Sequence, residues 1–320
     1  MYKSSFGACV HFERNISVLY AYSTEIDQET FWGGADTIAY YAAYYKTANV
    51  RFDTEQEEEI EYHTDRDSFN ASVRAHPPNL ALGYGDTTTG SNLYNILKKF
   101  LNNKKVSICG TLVFIAVKRY PDEADVSDII SQLRANHVMV HIAVDDVPSG
   151  GSNPSTLFEM SSKTNRYCVF GTGNDLRLGF LLMVQLLESP FQVFAQNLVV
   201  SGSGRIELPT IEANFPLDDR NWMVAVITFQ DHKLDNNFVS INYTIASVYG
   251  SYVFNYPNIY SMDPYGTGIT DYPMFDGFNF YKWIIDYHYN TDAPQVIECR
   301  MYSRYYHDFL PLPDFRIDDC

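Results

Sequence analysis

Basic residues are scarce in this chain: 23 Lys and Arg stand against 39 Asp and Glu, a formal charge of -16 over 320 residues. A surface that tracks phosphates needs the opposite balance, so nucleic acid is excluded as the expected partner. Long apolar runs are missing too. The longest, residues 178–187, is about half of what a bilayer-crossing helix needs and is broken by Gly179 and Gln185, so no membrane span is expected. Cysteines are few and scattered: Cys9, Cys109, Cys168, Cys299 and Cys320 include no pair spaced for a zinc ribbon or a redox dithiol. Cys109 and Cys168 adjoin apolar runs and read as small buried hydrophobes; Cys9 and Cys320, near the two ends, are the pair that could bridge. Residues 1–15 lack the apolar core of a signal peptide.

Catalytic signatures are absent as well. There is no HExxH, GxSxG or phosphate loop, and Gly171-Thr172-Gly173-Asn174-Asp175 lacks the third glycine of a dinucleotide fingerprint. His137 and His141, placed on one strand, would stand about 13 Å apart, too far to share a metal. Asp145 and Asp146 precede the turn Pro148-Ser149-Gly150-Gly151 and read as solvated carboxylates, not an acid and base pair. The sequence predicts no catalytic residue, no cofactor and no metal, hence a protein that is not an enzyme.

What the chain does contain is 46% hydrophobic residues, enough for two ordinary cores. Strands are predicted over 17–23, 50–53, 60–63, 108–117, 138–144 and 167–170, with helices over 29–46, 66–75, 91–101, 126–135 and 176–187. That alternation predicts parallel strands with crossover helices, a Rossmann-like doubly wound α/β domain at 15–190, with 60–63 as its antiparallel edge. Gly33 and Gly34 weaken the first turn of the first helix and mark a tight packing point. The run Glu55–Glu59 reads as a solvated hairpin tip. Beyond Pro190 the period changes to two, which predicts an antiparallel β-sandwich at 191–320, with 191–200, 222–229, 238–245, 282–289 and 296–302 as strands. Proteolysis near Pro190 is expected to release stable fragments.

Three segments carry a family likeness: Ser17-Val-Leu-Tyr-Ala-Tyr-Ser-Thr-Glu25, Gly85-Asp-Thr-Thr-Thr-Gly-Ser-Asn-Leu93, and the strand pair Thr111–Val117 and Val138–Val144. In wording and order they resemble the von Willebrand factor A fold over residues 15–188. With the tyrosine-rich second half, the whole chain resembles a family of nematode secreted proteins, some of which carry C-type lectin domains. The resemblance implies a divalent cation held by an Asp-x-Ser-x-Ser loop, a threonine turn and an Asp after the fourth strand. Here those positions read Ala21, Ser23 and Glu25 in the first loop, Thr87 in the turn, and Val117 followed by Lys118 in the last. Hard oxygen ligands are lost at Ala21 and Val117, so the metal site is degenerate; Asp86 or Glu25 are the substitute carboxylates. Ser23 and Thr87 then cap helices or satisfy loop amides.

Three functions compete. The first is an extracellular recognition or adhesion protein that binds another protein through a cation-free A-type domain. The second is a carbohydrate-binding accessory protein in which Tyr256, Tyr260, Tyr265 and Tyr272, in an aromatic loop over 252–281, stack on sugar rings. The third, suggested by the missing leader, is a cytoplasmic scaffold. Sequons at Asn15, Asn70 and Asn242 favour secretion as a glycoprotein.

Overall fold

The computed structural model describes residues 9, 16–42, 45–213, 221–249, 252–258, 261–262, 266–275 and 279–314. Its first unit is a six-stranded sheet: β1 (Ser17–Ser23), β2 (Lys46–Phe52), β3 (Glu61–His63), β4 (Leu112–Val117), β5 (Met139–Asp145) and β6 (Cys168–Gly171), in the order β3-β2-β1-β4-β5-β6. Every pairing is parallel except β2 with β3. Helices α1 (Gln28–Tyr41), α2 (Arg66–Ala75), α3 (Leu93–Leu101), α4 (Ser127–Ala135), α5 (Ser155–Lys163) and α6 (Asn174–Gln185) cover both faces. This is why β1, β4 and β5 are buried throughout and read as continuous apolar runs, without alternation.

Several elements differ from expectation. The first helix stops at Tyr41, so Tyr45 is not on it, and the fourth strand begins at Leu112 because Gly110, at φ 69°, ends the preceding turn. Helix α5 has no counterpart in the predicted string. Four of its six buried positions are Leu157, Phe158, Met160 and Thr156, but Ser161 and Ser162 complete the buried face and hide its apolar period.

The second unit holds β7 (Phe191–Val200), β8 (Ser203–Glu207), β9 (Ile211–Ala213), β10 (Asn221–Thr228), β11 (Phe238–Ser247), β12 (Val253–Tyr256), β13 (Ser261–Met262), β14 (Thr267–Phe275), β15 (Asn279–Tyr289) and β16 (Gln295–Ser303). They form two antiparallel sheets, β13-β14-β10-β16-β7 and β12-β11-β15-β8 with β9 added along β15. Trp283, Phe275, Tyr281 and Met301 fill the core between them. The segment over 252–281, expected as one loop, contributes three strands and part of a fourth.

The α/β unit and the sandwich are not separated by a polar linker. The core under α1 and α6 continues through Phe191, Val226, Ile269 and Tyr302 of the sandwich. After β16 the chain returns to the α/β unit as an irregular strap: Phe309 stacks on His137 at 4.1 Å, and Pro311 and Pro313 carbonyls accept from Asn165 and Arg134 at 2.9 and 2.8 Å. Cys9 is bridged to Cys109 at the same end of the sheet. This corrects both cysteine expectations: Cys109 is not a packed thiol, and the partner of Cys9 is not Cys320, which lies outside the described residues. Cys168 is free and buried, as its apolar setting predicts.

Candidate functional site

Strand order reverses between β1 and β4, so the loops leaving their carboxyl ends diverge and open a crevice. Residues 24–27 follow β1, residues 118–126 follow β4, and the long connection 76–92 from α2 to α3 borders both. Arg119 fills the point where they meet. Its side chain is 1% exposed. The guanidinium is gripped on each edge: Nε and Nη2 donate to Glu25 Oε2 and Oε1, both at 3.1 Å, Nη1 donates to the Thr89 carbonyl at 2.7 Å, and Nη2 to the Asp86 carbonyl at 2.8 Å. The Tyr84 ring lies 5.2 Å from its central carbon, a cation–π contact that completes the enclosure. The Ser149 hydroxyl donates to Glu25 as well.

The loop after β5 must also pass close. A Cβ at Gly150 would stand 2.0 Å from Arg119 Nη1, and one at Gly151, where φ is 73°, would stand 1.8 Å from the Tyr120 carbonyl oxygen. Only glycine fits either position. One guanidinium thus ties the first loop and the threonine turn to the end of β4, and the β5 loop joins them through Ser149 and backbone bonds to Lys118 and Tyr120. Bidentate pairing with a carboxylate is the strong form of such a contact, and here it is desolvated.

Beside it lies a second buried group. Asp53, at the end of β2 with φ 63°, is fully buried and accepts from Ser23 Oγ at 2.8 Å, Ser91 Oγ at 2.7 Å and the Asn92 amide at 3.2 Å. Burial pushes its pKa up from 3.8 to about 6, against the opposing pull of those hydrogen bonds and of Arg119. Asn92 Oδ1 accepts the Asp53 amide at 2.9 Å, which closes a reciprocal lock between the β2 end and the threonine turn.

These contacts show where the side chains expected as positions of a degenerate metal site stand. Ala21 and Val117 are wholly buried strand residues. Ser23 donates to Asp53 and caps no helix, and its hydroxyl accepts the Glu25 loop amide at 3.5 Å. Glu25 is committed to Arg119. Asp86 turns its carboxylate into its own loop, accepting both the amides and the hydroxyls of Thr88 and Thr89, and these bonds hold its pKa well below the usual range. Thr87 is exposed between them. Lys118 pairs with Asp145 at 2.8 Å. Asp145 is therefore buried and paired, and Asp146 pairs with Lys233 at 3.5 Å with its pKa raised by burial; neither is the solvated turn carboxylate expected. Among the described residues no three His, Cys, Asp or Glu side chains converge as metal ligands.

The other expected sites are dispersed. Tyr256 is 5% exposed, stacked on Tyr243 at 4.9 Å and packed against Gly268, so its face is not open to a sugar. Tyr260 and Tyr265 lie outside the described residues, as does Asn15, and Tyr272 lies in β14. Asn70 is half-exposed on α2 and Asn242 is exposed on β11. His137 sits just before β5, and His141 is buried within it.

Sequence reading missed Arg119 and Asp53. For Arg119 a signal existed: a basic pair, Lys118-Arg119, at the end of a buried strand, in a chain whose first loop carries Glu25. Asp53 followed a strand that was correctly placed but carried no partner pattern.

The sheet order, the flanking helices and the crevice at the β1/β4 reversal define the class: a Rossmann-like, von Willebrand factor A-type α/β fold followed by a β-sandwich. Residues 196–304 match a family model described as Domain of unknown function (DUF7154). A comparison with curated proteins gives no match. Solved structures similar to the chain include a von Willebrand factor type A protein from Catenulispora acidiphila (TM-score 0.36, 8% identity, 87% of this chain). The chain spans 59% of that protein's length. They include also the SpRpn10 VWA domain (TM-score 0.37, 9% identity, 53% of this chain and 95% of that one) and the pilus adhesin SpaC from Lactobacillus rhamnosus GG (TM-score 0.41, 8% identity, 89% and 39%).

Proposed function

We propose that this chain is a non-enzymatic recognition protein that binds another protein through the loop rim of its A-type unit, without a divalent cation. The supporting observation is Arg119, whose buried positive charge ties together loops that the family resemblance assigns to a metal. A cation entering there would meet a guanidinium already paired with the Glu25 carboxylate and 4.0 Å from that of Asp86. Leu80 (75% exposed), Val147 (57%) and Leu82 (38%) stand on loops of this rim and give a partner apolar contact. The Cys9–Cys109 bridge supports an extracellular setting over a cytoplasmic one, in keeping with the resemblance to nematode secreted proteins.

The test is capture from native extract by the intact, immobilised protein, with EDTA or with Mg²⁺, comparing wild type with a Leu80→Asp/Val147→Asp variant. The expected result is a partner retained in EDTA and lost by the variant. Capture that requires the metal, or that survives the variant unchanged, overturns the reading.

A further inference from the structure

The strands that end the three sheets are closed in different ways. β3 has three residues, among them Glu61 and His63, and β13 has two. β12 has four and runs into Pro257; β6 has four, all buried. β8 carries Arg205 and Glu207, and β9, along the same side of β15, carries Glu212. Short length, charge, proline and burial are the ordinary means by which a strand edge avoids pairing with another chain.

Strand β7 uses none of them. It is ten residues long and contains no charged residue, proline or glycine, in a chain of formal charge -16. It pairs with β16 along one side, and among the described residues no strand pairs with the other. A bulge at Val193 marks its start, after which residues 194–200 keep an unbroken register with β16. Val199 is 74% exposed, and Phe194 and Leu198 are only half-buried against the sandwich core.

The backbone shows which groups face the free side. Arg300 Nη1 donates both to the Cys299 carbonyl at 3.1 Å and to the Gln196 carbonyl at 3.0 Å, which sets the Gln196 carbonyl between the two strands. In an antiparallel ladder alternate residues turn their backbone groups to opposite sides, so Ala195, Asn197 and Val199 present theirs to the open edge. The Asn197 carbonyl there meets only a side chain of its own strand, Gln196 Nε2 at 3.4 Å.

We propose that two copies of this chain pair antiparallel through β7, about a two-fold axis at Gln196, so that the sheet β13-β14-β10-β16-β7 continues into that of the second copy. A second copy is the occupant because the strand matches itself. Val193-Phe194-Ala195-Gln196-Asn197-Leu198-Val199, turned end to end, sets Val193 opposite Val199, Phe194 opposite Leu198, Ala195 opposite Asn197 and Gln196 opposite Gln196. Apolar side chains meet apolar ones, no charge faces a charge, and Ala195 and Asn197 exchange the backbone bonds that the edge leaves open. Main-chain bonds give the affinity and the facing side chains the register. The pairing leaves the loop rim of the α/β unit out of the interface.

The test is sedimentation velocity of the intact protein in buffered saline from about 1 to about 100 μM, a span in which a weak pairing shows both species. Wild type should pass from monomer to dimer. Val199→Lys, at an exposed position, should raise the dissociation constant about tenfold or more with the melting temperature unchanged, and Ser203→Lys on the edge strand β8 should leave it as in wild type. Hydrogen exchange on wild type reads the same contact without any substitution: amides in 195–199 should slow as concentration rises, and those in 203–207 should not. A monomer throughout the range, a dimer untouched by Val199→Lys, or protection that appears elsewhere than in β7 overturns the proposal.

Discussion

Asp53 and Arg119 are both buried ionisable groups, and they act on stability in different ways. Asp53 has a folded-state pKa raised to about 6, so the protonated form is the one the fold prefers. Its contribution is fully present below the unfolded value near 4 and is lost as pH rises through about 6, a change of about 3 kcal/mol. Asp53→Asn keeps the acceptor and tolerates φ 63°, so it should remove that component. Urea unfolding at pH 4.5 and pH 7 should show the variant gaining on wild type at the higher pH; parallel curves would refute the assignment. Arg119 stabilises in its charged form. Arg119→Met strands Glu25 in a nearly dry site and should cost about 3–5 kcal/mol, read as a lower urea midpoint. Arg119→Lys keeps the charge but not the two-pronged contact and should fall between. The resemblance directed attention to Ala21 and Val117, and the structure places both as buried strand residues. It did not reveal the position of Arg119, because the direction of that side chain depends on loops from separate parts of the chain that must already be folded.

Among the elements, α1 was legible at its start and at its tight packing point, but not at its end. Gly34 faces α6 so closely that a Cβ would stand 2.4 Å from Phe180 Cε1, whereas a Cβ at Gly33 meets nothing within 4 Å. Gly34→Ala should destabilise by about 1–3 kcal/mol through overpacking. Gly33→Ala should stabilise by about 0.5–1 kcal/mol through helix propensity and the unfolded-state entropy it removes. Thermal melting of the two variants checks both, and equal effects would contradict the packing. The strands of the parallel sheet were readable because burial on both faces leaves an unbroken apolar run. Helix α5 and strand β14 were not. In α5, Ser161 and Ser162 occupy buried helical positions, and β14 carries Gly268 where the Tyr256 ring crosses it, so its composition imitates a turn.

At the scale of the whole molecule, the helix-flanked sheet gives way to antiparallel strands between the turn ending at Glu188 and β7, which begins at Phe191. The independence of the two units is another matter. Phe191, Val226, Ile269 and Tyr302 belong to the same core as α1 and α6, and the strap from β16 fastens the base of the sheet. Calorimetry should therefore give one cooperative transition, and cleavage near residue 190 should not release two stable fragments; two resolved transitions would show that the junction is only a contact. The central claim is that the rim of this A-type unit is organised by Arg119 and not by a metal. Its most direct test is calorimetric titration of wild-type protein with Mg²⁺, Mn²⁺ and Ca²⁺, repeated on Arg119→Ser. The account predicts no saturable heat for wild type, because the Glu25 carboxylate is already neutralised. Micromolar binding to wild type, weakened by Thr87→Ala, would contradict it.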